Sequence, residues 1–513
     1  MELGVRWLLL AYALSNVVLY SMLLPLWEGF DEPFHFGYVQ TVANGEGFPD
    51  PRTSRLSQET GSSLLLAPAS VSVQRNLPEL VTYREFFEWP AARREYVRQE
   101  LERIPAKLRR DPSQFLNYEA QQAPLAYFVL AIPERLMAAW PLPTRVMALR
   151  MIAGTLGVLL LMAGARRVCE QLGMSEAWVN VTLYCVLSIQ MTWATLARVS
   201  NDWLAVPLTV WVLSLAIEYG KRPVWRGAAV LSIGLLTKAY FLAFAPLLAA
   251  ICMLRRRWQD FTVAALIVLG MAGPWYARNQ IRYGSLSGMQ ESIHGGDALV
   301  GLRALQIRRL PAWLVASTTS ALWTANNTFR TFSVKTLGGL MLAWIGALVL
   351  WTAGGHKRVE WIVISHCVLF LFALAYYGAL SRAMPEPWYS QVLVFPLLAL
   401  AMLGTSRTGR LGKAIASAMV LICGYVIVCT YWVKLIPLYS GFEGRTSLAG
   451  VASLYAHGFP GVMSGMRDVC LGPAWMILVM SGVVSVLAVG LPVVLMRGFM
   501  GGRWRIGCRS PRL

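Results

Sequence analysis

Acidic side chains follow the first apolar segment of the chain directly, in the stretch WEGFDEPFHFGYVQ. Asp31 and Glu32 are adjacent in this stretch, and His35 lies three residues after Glu32. A carboxylate at a boundary between hydrocarbon and water can act as a general acid or base, because ionisable groups at such places are costly and usually functional. Asp31 and Glu32 are therefore the predicted catalytic pair. Glu32 and His35 could also be two ligands of a metal, although two ligands alone do not define a metal site.

Asp202, in the stretch ARVSNDWLAVP, is a further acidic residue between two apolar segments. Helix capping is the alternative role for all three acids. Asp31 precedes Pro33 as an N-cap residue would, and Glu32 in a first turn favours the helix dipole. Asp202 could likewise cap a helix that begins at Trp203. All three acids are predicted at the same membrane face. Their shared location favours a functional role over helix capping.

Basic residues are predicted at that face as well. Lys238 interrupts the apolar stretch SIGLLTKAYFLAF, and Arg278 and Arg282 lie in GPWYARNQIRYG where an apolar segment ends. The alternative is that these side chains extend to lipid head groups, which long cationic side chains often do. Acids and cations at one membrane face suit a substrate that carries both a hydroxyl group and a lipid phosphate.

The elements that must position these residues are membrane-spanning helices. Of the 513 residues, 56% are hydrophobic and only 14% are charged, and the mean hydropathy is +0.50. Apolar segments recur along the chain, and most approach the roughly 20 residues that a spanning helix needs. The composition therefore predicts an all-α polytopic membrane protein with about 12 crossings. Residues 1–513 form one membrane domain, since no repeat or linker divides them.

The formal net charge of +19 is interpreted as membrane topology and not as a nucleic-acid site. Basic clusters occupy short loops, such as 165–167, 255–257 and 356–358, and basic short loops mark the cytoplasmic side. Both termini are then cytoplasmic, in a multi-pass protein of the plasma (inner) membrane. The long regions 27–123 and 278–336 are predicted to be external, and the first contains amphipathic helices.

Two further expectations follow from the patterns. The apolar run 227–254 is too long for one straight crossing, so it is predicted to be two short helices that meet at Thr237 and Lys238. The eight cysteines show neither CxxC pairs nor the spacing of metal ligands. Buried free thiols are expected, and no metal is assigned from the cysteines.

Several stretches together resemble the GT-C glycosyltransferases, multi-span enzymes that use polyprenyl-phosphate-linked sugars and include the protein O-mannosyltransferase and lipid A aminoarabinose transferase group. The resemblance covers most of the chain, in order. Its motifs are DEPFHFGYVQ, QQAPLAYFVLAIPERL, RVSNDWLAV, GLLTKAYFLAFAP and PWYARNQIRYG. The chain departs from the family near its late spans, where YSQVLVFP lacks the arginine of an Arg-Tyr-Leu-x-Pro signature. Arg382, Trp388 or Gln391 could substitute for that arginine.

The resemblance implies inverting transfer of a sugar from a polyprenyl-phosphate donor to a hydroxyl of a glycan, lipid or protein, on the extracytoplasmic face. Asp31 would be the base, and Glu32 would orient it or bind the sugar. The other residues expected to bind substrate are His35, Asp202, Lys238, Arg278, Arg282 and Trp388. Of these, Lys238 and Arg278 would contact the phosphate. For Trp388 the alternative is a plain interfacial aromatic belt. No metal is assigned, since SND lacks paired carboxylates, but a divalent cation is left open as cofactor.

Two rival classes of function stay open at this stage. A flippase or other transporter would also have many spans, but its charges should lie near the bilayer midplane, often in related halves of the chain. A polymerase or ligase that consumes lipid-linked oligosaccharides is closer in chemistry and differs in its donor. A membrane scaffold without catalytic activity would not need acids and cations at one face.

Overall fold

The computed structural model describes residues 2–294, 307–323, 326–381, 384–442 and 447–500. The described chain is almost wholly helical. In the first part the α-helices are Glu2–Leu23, Glu32–Ala43, Gln58–Leu66, Val71–Gln74, Tyr83–Glu88, Ala91–Arg103, Leu125–Leu136, Leu142–Gln171, Glu176–Leu187, Gln190–Leu196, Asp202–Ile217, Val224–Leu235, Ala245–Leu254, Trp258–Met271, Gly273–Tyr283 and Gln290–His294. In the second part they are Leu310–Ser320, Val334–Thr352, Arg358–Ser381, Gln391–Arg407, Gly409–Cys429, Ile436–Leu438, Leu448–His457, Phe459–Val469 and Ala474–Met500.

Short elements complete the description. The 3-10 helices are Ala106–Arg109, Tyr118–Gln121, Ala239–Phe244, Ile307–Arg309 and Pro387–Ser390, and Thr430–Leu435 is a π-helical segment. The two strands Arg55–Ser57 and Pro112–Leu116 form a small antiparallel sheet within the region 27–123.

The predicted class, a polytopic all-helical protein, is confirmed by the apolar helices. Within the described ranges, seven helices are long and apolar enough to cross a membrane, or nine if two bent pairs each count as one span. The bent pairs are Glu176–Leu187 with Gln190–Leu196, at 72°, and Trp258–Met271 with Gly273–Tyr283, at 56°. Three shorter apolar helices accompany them, so the number of 12 crossings stays a prediction.

The break predicted at Thr237 and Lys238 is confirmed. The helix Val224–Leu235 ends just before it, and the 3-10 helix Ala239–Phe244 begins just after it. Lys238 itself is extended, with φ −156° and ψ 137°. The two halves fold closely together at Gly234, where an added Cβ atom would lie 2.2 Å from the ring of Phe241. Glycine is needed there because only a residue without a Cβ allows this approach.

The region 27–123 is held to the helix bundle by buried charges. Arg145, at the start of the helix Leu142–Gln171, is ion-paired with both Glu59 and Glu134, and all three side chains are almost wholly buried. Arg109 contacts Glu134 from the other side at 3.3 Å. Buried charges are tolerated when each has a partner, so this network fixes the region 27–123 against the membrane helices.

Candidate active site

A cavity of about 470 Å³ lies between the region 27–123 and the helices of the bundle. Asp31, His35, Glu119, Asp202 and Lys238 are among the residues at its polar end. The cavity thus brings together side chains from the region 27–123, the segment after Leu196 and the break at Lys238. Ligand sites are typically such pockets, in which a few polar groups converge on an otherwise apolar wall.

The other end of the cavity is apolar and opens sideways. Leu242, Phe370, Phe372 and Tyr376 line it, on the 3-10 helix Ala239–Phe244 and the helix Arg358–Ser381. The side chains of Leu242, Phe372 and Tyr376 are also exposed on the outer surface of the bundle. A molecule with a polar head and an apolar chain could therefore place its head inside while its chain leaves between these two helices.

Asp31 lies at the cavity and does not act as a helix cap through its side chain. It occupies the N-cap position of the helix Glu32–Ala43, but no hydrogen bond joins its carboxylate to that helix. Instead the carboxylate accepts a hydrogen bond from the hydroxyl group of Tyr118. The backbone of Asp31 is left-handed, with φ 55° and ψ 14°. Such a conformation costs free energy for residues other than glycine, aspartate adopts it more readily than most, and it recurs at active sites.

Glu32 is buried behind Asp31 and is not among the residues that line the cavity. Its carboxylate forms an ion pair with Arg150, with 2.8 Å from Nε to Oε1, and accepts a hydrogen bond from the backbone N–H of Val199 at 3.1 Å. Arg150 also donates to the carbonyl groups of Leu24 and Pro25. The adjacent acids, predicted as a catalytic pair, therefore have different surroundings, and the structure places only Asp31 where it can meet a ligand.

His35 and Glu119 form the wall beside Asp31. The Nδ1 atom of His35 is 2.8 Å from the hydroxyl oxygen of Tyr127 and 3.6 Å from Oε2 of Glu119. Burial, followed by the charge of Arg198, holds the pKa of His35 well below 6.5. Burial, followed by repulsion from Asp31, raises the pKa of Glu119 to about 8. The imidazole is consequently neutral at pH 7, and the carboxyl group of Glu119 is shifted towards its neutral form.

Glu32 and His35, the two metal ligands that the sequence suggests, are not both free to bind an ion, because Glu32 is ion-paired with Arg150. Across the part of the chain that the structure describes, no group of three or more histidine, cysteine or acidic side chains could hold a metal ion. The described cysteines are free thiols, and all but Cys470 are buried.

Asp202 joins two cations at the polar end of the cavity. Its carboxylate is 2.8 Å from Nη2 of Arg198 and 2.5 Å from Nζ of Lys238. The side chain of Arg198 is only 4% exposed, and its Nε and Nη1 atoms have no hydrogen-bond partner in the protein. Lys238 also lies over the rings of Tyr240 and Tyr389. Asp202 begins the helix Asp202–Ile217 without capping it, so the capping alternative fails here too.

Two arginines that the sequence predicts to bind substrate lie elsewhere, namely Arg278, predicted to contact the phosphate, and Arg282. The guanidinium of Arg278 stacks on Phe48, Trp275 and Tyr283 and does not line the cavity. Arg282 is half exposed and pairs with Asp50 at 3.2 Å. The structure therefore does not bring these arginines to Lys238, because aromatic neighbours and a surface carboxylate hold them outside the cavity.

Trp388 and Gln391, two of the residues considered as substitutes for the missing late-span arginine, are at the cavity wall. The indole ring of Trp388 is stacked on Phe30 with 4.7 Å between ring centroids and an angle of 5°. Gln391 is buried, and its amide donates to Thr192 at 3.3 Å. Arg382, the other substitute considered for the missing late-span arginine, lies outside the described residues.

Three residues of the site were missed by sequence reasoning, namely Arg198, Glu119 and Tyr118. Arg198 stands four residues before Asp202, a spacing that joins opposite charges on a helix, and that signal was available. Glu119 and Tyr118 belong to the segment NYEA, which has no periodicity and lies just before the motif QQAPLAYFVLAIPERL. Only the fold shows that this segment reaches Asp31.

Comparison with known proteins gives a likeness of fold alone. Neither the models of known protein families nor the curated proteins contain a match. Among solved structures, ArnT from Cupriavidus metallidurans bound to undecaprenyl phosphate is similar, with a TM-score of 0.50 and 13% identity over 97% of this chain and 77% of that chain. Its apo structure gives a TM-score of 0.43 at 15% identity over 98% of this chain and 78% of that chain. The first likeness confirms the predicted GT-C type of fold.

The pair of Glu32 and Arg150 can be tested by removing one charge and then both. Glu32→Gln leaves a buried guanidinium without its counter-charge, so the free energy of unfolding should fall by about 3 to 5 kcal/mol. Adding Arg150→Met should recover part of that loss, although the carbonyl groups of Leu24 and Pro25 then lack a donor. Thermal unfolding in detergent measures the stability of the single and the double variant. The same substitutions in the exposed pair Arg84 and Glu88 are the matched control. Unchanged stability of Glu32→Gln would show that this pair does not hold the site.

Glu119 should make stability depend on pH. Its folded pKa of about 8 lies above the ordinary value of 4.5, so its neutral form is the one that folding favours. Its contribution is complete below about pH 4.5 and declines as the pH rises towards 8. Glu119→Gln imitates the neutral acid, so its melting temperature should rise relative to the wild type across that window. A difference that is constant with pH would contradict a neutral Glu119.

Proposed function

We propose that the protein transfers a sugar from a polyprenyl-phosphate-linked donor to an acceptor hydroxyl group, with inversion. One observation carries this proposal: a single cavity contains a carboxylate, a pair of cations and an apolar side opening. A lipid-linked sugar needs all three, for the attacking hydroxyl, the phosphate and the lipid chain respectively. The similar fold of ArnT, whose solved structure contains undecaprenyl phosphate, supports the class of donor.

Arg198 and Lys238 are the proposed phosphate ligands. Together with Asp202 they form a cluster of two positive charges and one negative charge, so one positive charge lacks an anion. The two Arg198 nitrogen atoms without partners are buried, and buried donors normally have acceptors. A phosphate oxygen would supply them. Charge-assisted contacts in a water-poor cavity stabilise the negative charge that grows on the departing phosphate.

Asp31 is the proposed general base. Its carboxylate takes the proton from the acceptor hydroxyl while that oxygen attacks the anomeric carbon from the side opposite the phosphate. The bond from that carbon to the phosphate oxygen breaks, and the phosphate leaves with its electron pair towards Arg198 and Lys238. One displacement of this kind inverts the anomeric centre. Tyr118 orients the Asp31 carboxylate, and Glu32 positions the backbone of Asp31 through Arg150.

The remaining cavity residues bind the sugar in this proposal. Trp388 offers an aromatic face, which is a common platform for a sugar ring, and Gln391 and His35 can form hydrogen bonds with hydroxyl groups. Arg278 and Arg282 take no direct part, because aromatic rings and Asp50 hold them outside the cavity.

The reaction is proposed to occur on the extracytoplasmic face of the plasma (inner) membrane. The region 27–123 supplies Asp31 and Glu119, and it is one of the two long regions that the positions of basic loops predict to be external. Both termini are then cytoplasmic, and residues 1–513 act as one membrane domain that includes the second external region, 278–336.

Substitution of Asp31 tests the base. In Asp31→Asn the amide keeps the shape and still accepts from Tyr118, but it cannot take up a proton, so turnover should fall about 100- to 10,000-fold. The assay is movement of radiolabelled sugar from a panel of undecaprenyl-phosphate sugars to a membrane extract. Asp50→Asn, which alters an external aspartate outside the cavity, should keep turnover. Full activity of Asp31→Asn, with folding intact, would remove Asp31 from the mechanism.

Substitution of the cations tests the phosphate site. Arg198→Gln and Lys238→Met should each raise the donor concentration at half-maximal rate about 10- to 100-fold, because a hydrogen bond to a charged group contributes about 1.5 to 3 kcal/mol. Arg278→Gln and Arg282→Gln are the matched controls and should leave that concentration unchanged. The assignment is wrong if Arg278→Gln weakens donor use while Arg198→Gln, folded normally, does not.

A further inference from the structure

Glu291 lines the cavity on the side formed by the second external region. It belongs to the short helix Gln290–His294, which is fixed to the first external region by a hydrogen bond of 2.6 Å from the backbone N–H of Gln290 to Gln121. The Oε1 atom of Glu291 accepts a hydrogen bond of 3.1 Å from Tyr377, and its Oε2 atom has no partner in the protein. One oxygen of the Glu291 carboxylate is thus positioned to accept a hydrogen bond from a bound ligand.

Hydroxyl groups and aromatic rings surround this carboxylate. Ser287 donates to Ser292 at 3.0 Å, and both residues line the cavity next to Glu291. The ring of Tyr377 meets that of Tyr389 edge to face at 5.7 Å. Glu291, Tyr377, Ser287 and Ser292 are here called the acceptor wall. Its groups can both donate to and accept from the hydroxyl groups of a ligand.

The charge around the acceptor wall is negative. The only positively charged residues among the described ones that line the cavity are Arg198 and Lys238, and both are bonded to Asp202. A cavity wall of one charge sign concentrates ligands of the opposite sign and repels those of the same sign.

We infer that the acceptor wall binds the acceptor and selects one whose reacting end is an uncharged polyhydroxyl group, such as a sugar. A phosphomonoester at the same place would meet Glu291 and Asp31 without a cation to neutralise it. This inference rests on the proposed function and adds the chemical class of the acceptor. The cations at Asp202 would serve the donor phosphate alone.

The charge of the wall can be measured without any substrate. A cysteine is introduced as Ser292→Cys and treated with methanethiosulfonate reagents of equal size, one a trimethylammonium cation and one a sulfonate anion. The measured quantity is the ratio of the cation's reaction rate to the anion's reaction rate. This ratio should be at least about ten times the ratio that the same reagents give with a free thiol. The ratio should fall when Glu291→Gln is added and stay unchanged with Glu88→Gln, which alters an external surface acid. An equal or anion-favouring ratio would overturn the inference.

The class of acceptor is measured with a matched pair of molecules. The donor that proves active is offered a short-chain alkyl glucoside or the 6-phosphate of the same glucoside. Transfer to the uncharged glucoside should exceed transfer to the phosphate at least tenfold, and Glu291→Lys should narrow the difference. Equal or better use of the phosphate would overturn the inference. If no donor transfers sugar to any acceptor, the proposed function fails, while the reagent ratio still decides the charge of the wall.

Discussion

The ion pair between Glu32 and Arg150 is the constraint on which the site depends. Both side chains are wholly buried. The free-energy cost of removing a charge from water is offset only by a close partner of opposite charge with good hydrogen bonds. Arg150 binds the carbonyl groups that end the first helix, and Glu32 accepts from Val199. One pair therefore fixes the end of the first span and the segment after Leu196 to the start of the helix Glu32–Ala43. Asp31 precedes Glu32 and Arg198 precedes Val199, so the proposed base and the proposed phosphate ligand are placed by the same contact.

The adjacent carboxylates of Asp31 and Glu32 thus have different roles in the proposed mechanism, because their surroundings differ. Glu32 is neutralised by a guanidinium and contributes structure, whereas Asp31 projects into the cavity with a single tyrosine as partner. Asp202 has a third task, because its charge allows Arg198 and Lys238 to lie close together before any ligand arrives. The excess positive charge of that cluster and the carboxylates of Asp31 and Glu291 give different parts of the cavity lining opposite charge. That polarity is what separates the donor side from the acceptor side in the proposed mechanism.

The sequence predicts those features of the arrangement that follow from membrane topology, namely the helices and their breaks. The apolar segments predict the helices, and the run 227–254 predicts the break at Lys238, because length and composition alone decide both. The position of Arg278 outside the cavity could not be predicted, since topology assigns a residue to a membrane face and not to a direction around a helix. Arg278 is turned away by Phe48, which is distant in sequence. The burial of Glu32 likewise depends on an arginine 118 positions later in the chain.

A structure of the complex with undecaprenyl phosphate tests the central claim most directly, since it places the phosphate itself. The account predicts phosphate oxygen atoms within about 3 Å of the free nitrogen atoms of Arg198 and of Nζ of Lys238. The first isoprene units should leave the cavity between Leu242 and Phe372. A phosphate bound at Arg278, or a lipid chain that leaves by another route while the cavity stays empty, would contradict it.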